Sequence, residues 1–117
     1  MTASIKLGNL TIGSNNPCFI IAEAGVNHNG DVNLAHRLVD EAFKTGADAI
    51  KFQSFKASAL VSTTAAKAEY QITTTGENES QFEMLQKLEL SLETMEQLKK
   101  HCDQLGIMFL CTPYDYE

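Results

Sequence analysis

Apolar runs alternate with amphipathic segments along this chain. The run CFIIAEA at 18–24 is apolar without alternation, which is typical of a strand covered on both faces, as in a parallel sheet. Two further apolar runs, ADAIKFQ at 47–53 and IMFLC at 107–111, have the length of strands rather than of helices. The pattern therefore predicts three strands of a parallel sheet.

A capped helix is predicted between the first two strands. Asp31 can accept hydrogen bonds from the free N–H groups of a first helical turn, and Gly46 supplies the left-handed residue that ends a helix. The apolar positions between them recur at helical spacing: Leu34, Leu38, Val39 and Ala42. Strand, helix, glycine and strand within about 35 residues make a βαβ unit.

The second crossover is longer. Residues 54–79 are polar and have no clear period, and loops longer than about 15 residues are usually functional or mobile. A short helix is predicted from Ser80 to Leu88, and Ser91 is expected to cap a second helix that Gly106 ends. Its apolar positions are Leu92, Met95, Leu98, Cys102 and Leu105.

The amino-terminal residues predict a β-hairpin. In IKLGNLTI the dipeptide Gly8-Asn9 suits a tight turn, and SNNP then breaks the chain, so the hairpin region is residues 5–17 and the βαβαβ units fill 18–117. The fold class is α/β. Three parallel strands with two crossovers begin either a doubly wound sheet or a (β/α)₈ TIM barrel, and a barrel needs about 250 residues.

Charge and hydropathy exclude several classes of partner. The 117 residues carry a formal net charge of -6, and the nine basic residues are scattered, which argues against a nucleic acid partner. No apolar stretch approaches the roughly 20 residues that span a bilayer, and the amino terminus lacks the apolar core of a signal peptide. We therefore expect no membrane partner and a cytoplasmic location.

The three cysteines are predicted to be buried, unreactive thiols. Cys18, Cys102 and Cys111 are odd in number and form no C-x-x-C pair, which fits a reducing compartment. His101 adjoins Cys102, but neighbouring residues on a helix point in different directions, so this histidine is not placed to act as a base for the thiol.

Candidate chemistry gathers where the predicted strands end. Ligands of parallel α/β sheets bind at the carboxyl ends of the strands. This rule selects six residues: Glu23, Asn27 and His28 after the first strand, Lys51 and Gln53 on the second, and Thr112 after the third. A lysine inside a buried run needs an anion, which a ligand phosphate or carboxylate, or Glu23 as a structural partner, could supply. These two interpretations are compatible, since a ligand can join an ion pair.

The other polar candidates leave alternatives open. Gln53 points to the same side as Lys51 and suits a sugar hydroxyl or an N-acyl group, although an ordinary strand-end glutamine fits as well. Glu23 could be a base, a metal ligand or the partner of Lys51. His28 could bind metal or anchor its loop, and the loop role is favoured. The spacing of His36 and His101 does not resemble a zinc site.

Five blocks of sequence together resemble the amino-terminal part of the N-acetylneuraminate (sialic acid) synthase family. They are FIIAEAGVNHNGD, GADAIKFQSFK, KAEYQ, ESQFEMLQKLELS and GIMFLCTPYD, and they extend from about Phe19 to Asp115 in the order found in the family. The resemblance implies a (β/α)₈ barrel closed at its lower end by an amino-terminal hairpin. It also implies a small antifreeze-like domain after the barrel and a domain-swapped homodimer.

The resemblance also implies an activity. Family members condense phosphoenolpyruvate with an N-acylated mannosamine-type sugar, giving a nine-carbon 2-keto acid (a nonulosonic acid) and phosphate, with a divalent metal ion, Mn or Mg, as cofactor. By the same resemblance Lys51 and Thr112 would hold phosphoenolpyruvate, Gln53 and Asn78 would lie near the acceptor sugar, and Glu23 and Lys51 would be catalytic. The acceptor could be N-acetylmannosamine or a di-N-acylated sugar leading to a legionaminic-type acid.

The family's metal-binding histidines, later strands and carboxyl-terminal domain would lie beyond Glu117. We therefore expect no metal site within these residues, and we expect the chain to be a segment of a longer enzyme that is inactive alone. Two alternatives remain open. One is a related phosphoenolpyruvate condensing synthase that acts on a phosphorylated aldose, for which additional basic residues are expected. The other is a non-catalytic barrel fragment.

Overall fold

A computed structural model describes residues 3–62, 66–68, 71–73 and 79–116. Five strands and four helices have bounds within them, and residues 71–73 are also helical. In chain order they are β1 Ser4–Leu7, β2 Leu10–Gly13, β3 Ile21–Gly25, α1 Val32–Lys44, β4 Ala49–Ser54, α2 Ala57–Leu60, α3 Gln81–Leu88, α4 Leu92–Leu105 and β5 Met108–Pro113. Except for α2, which lies in the segment 54–79 that was predicted to be a loop, the elements have the types and order that the sequence pattern predicts, and the boundaries of the three parallel strands differ by one to three residues.

The first two strands pair with each other. β1 and β2 are antiparallel, and Leu7 lies opposite Leu10, which leaves Gly8 and Asn9 as a two-residue turn. The φ angle of Gly8 is 59°, a left-handed value that a glycine adopts without a steric penalty at the first position of such a turn.

The other three strands form one parallel sheet in the order β3-β4-β5. Glu23 on β3 lies beside Lys51 on β4, and Lys51 lies beside Leu110 on β5. Two pairs further on, Gln53 lies beside Thr112. The register therefore places four strand-end candidates in two rows that are two residues apart on the same face of the sheet, Glu23 with Lys51 and Gln53 with Thr112.

Helices α1 and α4 cover one face of this sheet. Val39 and Leu98 are fully buried between the helices and the strands, where they meet Ile50 and Phe52 of β4. The Phe52 ring stacks on that of Phe109 with centroids 5.9 Å apart. Because side chains alternate along a strand, the residues between these, Lys51 among them, face the opposite side.

That opposite face is open in the part of the chain that the structure describes. The sequence predicted that the first strand of the sheet is covered on both faces, but Ile20 and Ile21 are 50% and 46% exposed. The prediction of two-sided burial is wrong for these residues because β3 lies at the edge of the three-stranded sheet and the helix layer covers one face only.

Local capping chemistry sets the helix boundaries. The Asp31 carboxylate accepts hydrogen bonds from the N–H groups of Asn33 and Leu34, at 2.8 and 3.1 Å, which satisfies two free donors of α1. Ser80 and Glu83 form a reciprocal capping box at the start of α3. The N–H of Thr94 donates to the Ser91 hydroxyl at the start of α4. These caps confirm the predicted helix starts.

An imidazole pair joins α1 to α4. The Nδ1 atoms of His36 and His101 are 2.7 Å apart, and Nε2 of His101 lies 2.9 Å from a carboxylate oxygen of Asp40. Burial lowers the pKa of His36, the nearby His101 lowers it further, and Asp40 partly opposes both effects. The sequence placed these histidines on separate helices without indicating that they meet.

The exposure of two side chains differs from the prediction. Cys18 is exposed because it lies before β3, outside the layer that the helices cover. Leu92 is 67% exposed because it is the first residue of α4, away from the buried stripe. Cys102 is buried as expected, and burial raises the pKa of its thiol to about 11, so this thiol stays protonated at neutral pH. None of the described helices is long and apolar enough to cross a membrane.

Candidate active site

An ion pair lies on the open face of the sheet. Nζ of Lys51 is 3.1 Å from a carboxylate oxygen of Glu23, and the two side chains are 36% and 50% exposed. The pairing that the sequence offered as the structural interpretation of Lys51 is therefore present. The pair is also accessible from solvent, so an anionic ligand can reach Lys51 without moving the backbone.

Gly25 opens the space beside this pair. The register of β3 on β4 shifts between Glu23 and Gly25, and the φ angle of Gly25 is 53°. A Cβ atom on Gly25 would lie 3.3 Å from Oε1 of Glu23 and 3.6 Å from Nε2 of Gln53. The irregularity therefore brings the Glu23 and Gln53 side chains to the same small volume, and the missing side chain leaves that volume free.

For Thr112 and Asn78 the structure gives less information about their position relative to the ion pair. Thr112 is partly buried on β5 and lies beside Gln53 in the register, two residue pairs further toward the carboxyl end than Lys51. It therefore shares the edge of the sheet with the other candidates. Asn78 lies outside the described residues. Its assignment to the acceptor sugar stays a prediction.

His28 anchors the loop after β3. It is fully buried, and its Nδ1 accepts a hydrogen bond of 2.9 Å from the N–H of Gly30. Burial lowers its pKa, which favours the neutral ring with the proton on Nε2. Nε2 is buried and has no hydrogen-bond partner among the described atoms. The Gly30 contact supports the loop role that the sequence favoured.

The loops beyond the strands are tied together by two carboxylates. Glu89, which follows α3, accepts a hydrogen bond of 2.7 Å from the N–H of Ala57, and its second oxygen lies 3.3 Å from Nζ of Lys56. Asp115, which follows β5, accepts a hydrogen bond of 2.6 Å from the N–H of Lys56. Sequence reasoning singled out neither residue, because each bond joins positions that are far apart in the chain.

The described residues do not form a metal site by themselves. They contain no group of three or more histidine, cysteine, aspartate or glutamate side chains that could hold a metal ion. Glu23 is the one carboxylate among the candidate site residues, and it is engaged with Lys51.

A comparison with protein families gives the family of the chain. Residues 38–117, more than half of the sequence, match the NeuB family. The chain belongs to the NeuB family. The matched residues include Lys51, Gln53 and Thr112 of the candidate site.

Two bacterial relatives carry the same enzyme name. The chain is 56% identical over 98 residues to the N,N'-diacetyllegionaminic acid synthase of Campylobacter jejuni, covering 84% of this chain and 29% of that protein. It is 54% identical over 103 residues to the synthase of the same name from Legionella pneumophila, covering 88% and 29%. The human N-acetylneuraminate-9-phosphate synthase is 32% identical over 104 residues, covering 89% and 29%.

Two solved structures are similar to the chain. An N-acetylneuraminic acid synthetase from Leptospira borgpetersenii, in complex with citrate, superposes with a TM-score of 0.75 at 39% identity, covering 98% of this chain and 35% of that one. The spore coat polysaccharide biosynthesis protein SpsE from Bacillus subtilis gives a TM-score of 0.67 at 35% identity, covering 97% and 28%. This NeuB family chain thus spans about 29% of the length of its curated bacterial relatives.

Proposed function

We propose that this chain is the amino-terminal part of a nonulosonic acid synthase, a transferase that condenses phosphoenolpyruvate with an N-acylated mannosamine-type sugar. The observation that carries the proposal is the accessible Lys51–Glu23 ion pair at the open face of the sheet, beside Gln53. A cation, a carboxylate and an amide close together suit a substrate pair of which one is strongly anionic and the other is a polar sugar.

Each candidate residue has a role in the proposed reaction. The Lys51 ammonium holds an anionic group of phosphoenolpyruvate, with Thr112 assisting from β5. The Gln53 amide and Asn78 bind the acceptor sugar through its hydroxyl or N-acyl groups. Glu23 orients Lys51 through their 3.1 Å contact and acts at the reacting centre as a base, a metal ligand or an ion-pair partner.

The proposed chemistry forms a carbon–carbon bond and releases phosphate. C3 of phosphoenolpyruvate attacks the aldehyde carbon of the open-chain sugar, and water adds to C2 before the phosphate leaves. The products are a 2-keto acid with nine carbons and inorganic phosphate. A lysine fixed on a strand contributes by positioning and by offsetting the negative charge of phosphoenolpyruvate, two effects that supply much of the rate in reactions of this kind.

For the acceptor we propose a di-N-acylated sugar that leads to a legionaminic-type acid. The identity to the two N,N'-diacetyllegionaminic acid synthases is 56% and 54%, against 32% for the human N-acetylneuraminate-9-phosphate synthase. A phosphorylated acceptor is expected to need additional basic residues, and Lys51, the basic residue of the candidate site, is already paired with Glu23.

The proposal extends to the whole protein. It comprises a complete (β/α)₈ barrel whose lower end is closed by the β1–β2 hairpin, an antifreeze-like domain and a domain-swapped homodimer in the cytoplasm. It also includes a divalent ion, Mn or Mg, whose ligands we expect in the remainder of the barrel. When bound, that ion would act as a Lewis acid toward the acceptor aldehyde. We expect the 117 residues alone to be inactive.

The test is phosphate release by the full-length protein. It is incubated with phosphoenolpyruvate, manganese and one of three acceptors: a di-N-acetylated mannose-type sugar, N-acetylmannosamine or a phosphorylated N-acetylmannosamine. We expect the fastest release with the di-N-acetylated sugar.

The outcomes distinguish the possible acceptor sugars from one another and an enzyme from a non-catalytic barrel. Preference for N-acetylmannosamine would keep the chemistry and change the product to sialic acid. Preference for the phosphorylated sugar would favour the related synthase. No release with any acceptor, together with no thermal stabilisation by phosphoenolpyruvate, would contradict the proposal and favour a non-catalytic barrel, because a ligand that binds the native state raises its stability.

A further inference from the structure

The two ring nitrogens of His28, in the loop that follows β3, have different surroundings. The side chain is fully buried, and Nδ1 accepts a hydrogen bond of 2.9 Å from the N–H of Gly30. Nε2 is buried and has no partner in the part of the chain that the structure describes. Because a backbone N–H can only donate, Nδ1 must offer a lone pair, and the neutral ring therefore has its proton on Nε2.

Residues 26–30 form a compact loop that borders the candidate site. The N–H of Asn27 donates to the carbonyl oxygen of Ala24 at 2.9 Å, so the backbone turns back across Gly25, the glycine that leaves room beside the ion pair. At its other end the loop packs on α3. Gly30 is so close to this helix that a Cβ atom on it would lie 2.0 Å from a backbone carbonyl oxygen there.

Protonation of His28 is incompatible with the closed loop for two reasons. A second proton on the ring would go to Nδ1, which would then face the N–H of Gly30 as one donor against another. The charged ring would also be buried without an anionic partner, and an unpaired buried charge is costly. The loop must therefore open when the ring takes up a proton.

The elements around His28 offer it no free charge among the described residues. On β4 the ring faces the uncharged ring of Phe52, with centroids 6.3 Å apart. The charged side chains of β3, β4, α3 and the cap of α1 each bond to another group: Glu23, Asp31, Lys51, Glu83 and Lys87. Burial accordingly lowers the pKa of His28, which keeps its ring neutral at neutral pH.

We propose that His28 is a proton-sensitive anchor of the loop 26–30: the neutral ring holds the loop closed against α3, and protonation of the ring releases it. The inference goes beyond the proposed function, because it concerns the conformation of the loop and needs no substrate. Below the ordinary histidine pKa of 6.5, the open loop binds protons better than the closed loop does. The fraction of open loop should therefore rise as the pH falls.

The test compares the wild type, His28→Asn and His28→Leu as full-length proteins at pH 7 and pH 5. An asparagine at this position can offer its side-chain oxygen to the N–H two residues on, as asparagines in turns do, but it cannot be protonated. A leucine removes the acceptor altogether. Hydrogen exchange at the Gly30 amide is measured, corrected for the intrinsic exchange rate at each pH, with the amides of β4 as the internal reference.

In the wild type, protection of the Gly30 amide should fall about tenfold or more between pH 7 and pH 5, while the amides of β4 keep theirs. In His28→Asn it should change less than about twofold, and in His28→Leu it should be low at both pH values. His36→Gln is the matched control. It removes another histidine whose pKa burial lowers, and it should keep the wild-type response at Gly30.

Three results would overturn the proposal. One is unchanged protection of Gly30 in the wild type, and another is the same pH response in the wild type and in His28→Asn. The third is a parallel loss of protection at Gly30 and in β4, which would indicate global unfolding rather than opening of the loop. The asparagine variant decides the question if the leucine variant does not fold.

A second readout examines the ring itself. In full-length protein isotope-labelled at the histidine nitrogens, NMR at pH 7 should show a His28 ring protonated on Nε2 alone, with the resonances assigned by their absence in His28→Asn. The ring should titrate below the ordinary pKa of 6.5. A proton on Nδ1 at pH 7 would contradict the proposal, because that nitrogen could not then accept from Gly30.

Discussion

At the scale of single residues, the site depends on a pair that is accessible rather than buried. Lys51 and Glu23 are 36% and 50% exposed, and exposed ion pairs contribute roughly 0–1 kcal/mol to stability. The proposed role of Lys51, by contrast, is to hold an anion at the reacting centre. Stability and activity should therefore respond very differently to the loss of this side chain.

Replacing Lys51 by methionine tests that difference. We expect Lys51→Met to lower kcat/KM for phosphoenolpyruvate by about a hundredfold or more, because a charged contact to the substrate is removed. The free energy of unfolding of the 117 residues, in which the pair is exposed, should fall by less than about 1 kcal/mol. Steady-state kinetics of the full-length protein gives the first value, and urea denaturation of the 117 residues gives the second. A large loss of stability with activity retained would show that the lysine is structural only.

Substitution of Gly30 tests how closely the loop after β3 packs against α3. The φ angle of Gly30 is 78°, and a Cβ atom there would lie 2.0 Å from the backbone carbonyl oxygen of Lys87. We expect Gly30→Ala to destabilise the protein by about 2 kcal/mol or more, since the left-handed conformation and a backbone clash both oppose it.

Gly46 provides the matched control. Its φ angle is 81°, but a Cβ atom on it would meet nothing within 4 Å. Gly46→Ala should therefore cost only the conformational penalty of about 1–2 kcal/mol. Denaturation curves for both variants check the prediction. Equal losses would mean that the loop does not pack against Lys87 as the structure shows.

At the scale of elements, helix boundaries can be predicted from residues close together in the sequence, whereas contacts between distant segments cannot. The helix starts are predictable because each N-cap side chain accepts hydrogen bonds from N–H groups only two or three residues away. These N-caps are Asp31, Ser80 and Ser91. The bond from Lys56 to Asp115 joins residues 59 apart, and the His36–His101 contact joins residues 65 apart. Sequence periodicity gives no information about contacts between residues so far apart in the chain, so these contacts were identified only from the structure.

The sequence predicted which candidate residues lie near one another better than it predicted their surroundings. Glu23, Lys51, Gln53 and Thr112 were selected because carboxyl ends of parallel strands meet at one edge, and the register places them together. The role of Gly25 was not resolved, because the register shift that gives it a positive φ angle depends on the pairing of β3 with β4. Two-sided burial was wrongly predicted for Ile20 and Ile21, since burial depends on what packs against the strand.

The contact between α1 and α4 should respond to pH. The pKa of His36 is lowered in the folded state by burial and by His101, with Asp40 opposing. The unfolded chain therefore takes up a proton near pH 6.5, its ordinary value, and the folded chain does so only at a lower pH. Protons bind preferentially to the unfolded state in this window, so stability should fall as the pH drops below about 6.5.

Thermal unfolding of the full-length protein at several pH values measures this effect. His36→Gln should reduce the loss of stability between pH 7 and pH 5, and above pH 7.5 the slopes of the two proteins should agree. Part of the dependence should persist in the variant, because burial also lowers the pKa of His28. Identical slopes at low pH in both proteins would contradict a neutral His36 in the folded state.

At the scale of the whole molecule, the described part of the chain is layered on one side only. Helices α1 and α4 cover the Ile50 and Phe52 face, and the face that carries the ion pair has no covering layer among the described residues. Ile20 and Ile21 lie exposed at its edge. An apolar sheet face and unpaired strand edges favour self-association. This arrangement fits a chain that belongs to a larger closed sheet, as proposed above.

The strand order has a consequence for the rates at which backbone amides exchange with deuterium. β4 is bonded on both sides, whereas β3 and β5 each have one neighbour in the three-stranded sheet. In the isolated 117 residues, amides of β4 should therefore exchange most slowly, and the outward-facing amides of β3 and β5 should exchange at nearly unprotected rates. In the full-length protein those outward-facing amides should become as slow as the amides of β4. Their protection would then report directly on closure of the barrel, independently of any substrate.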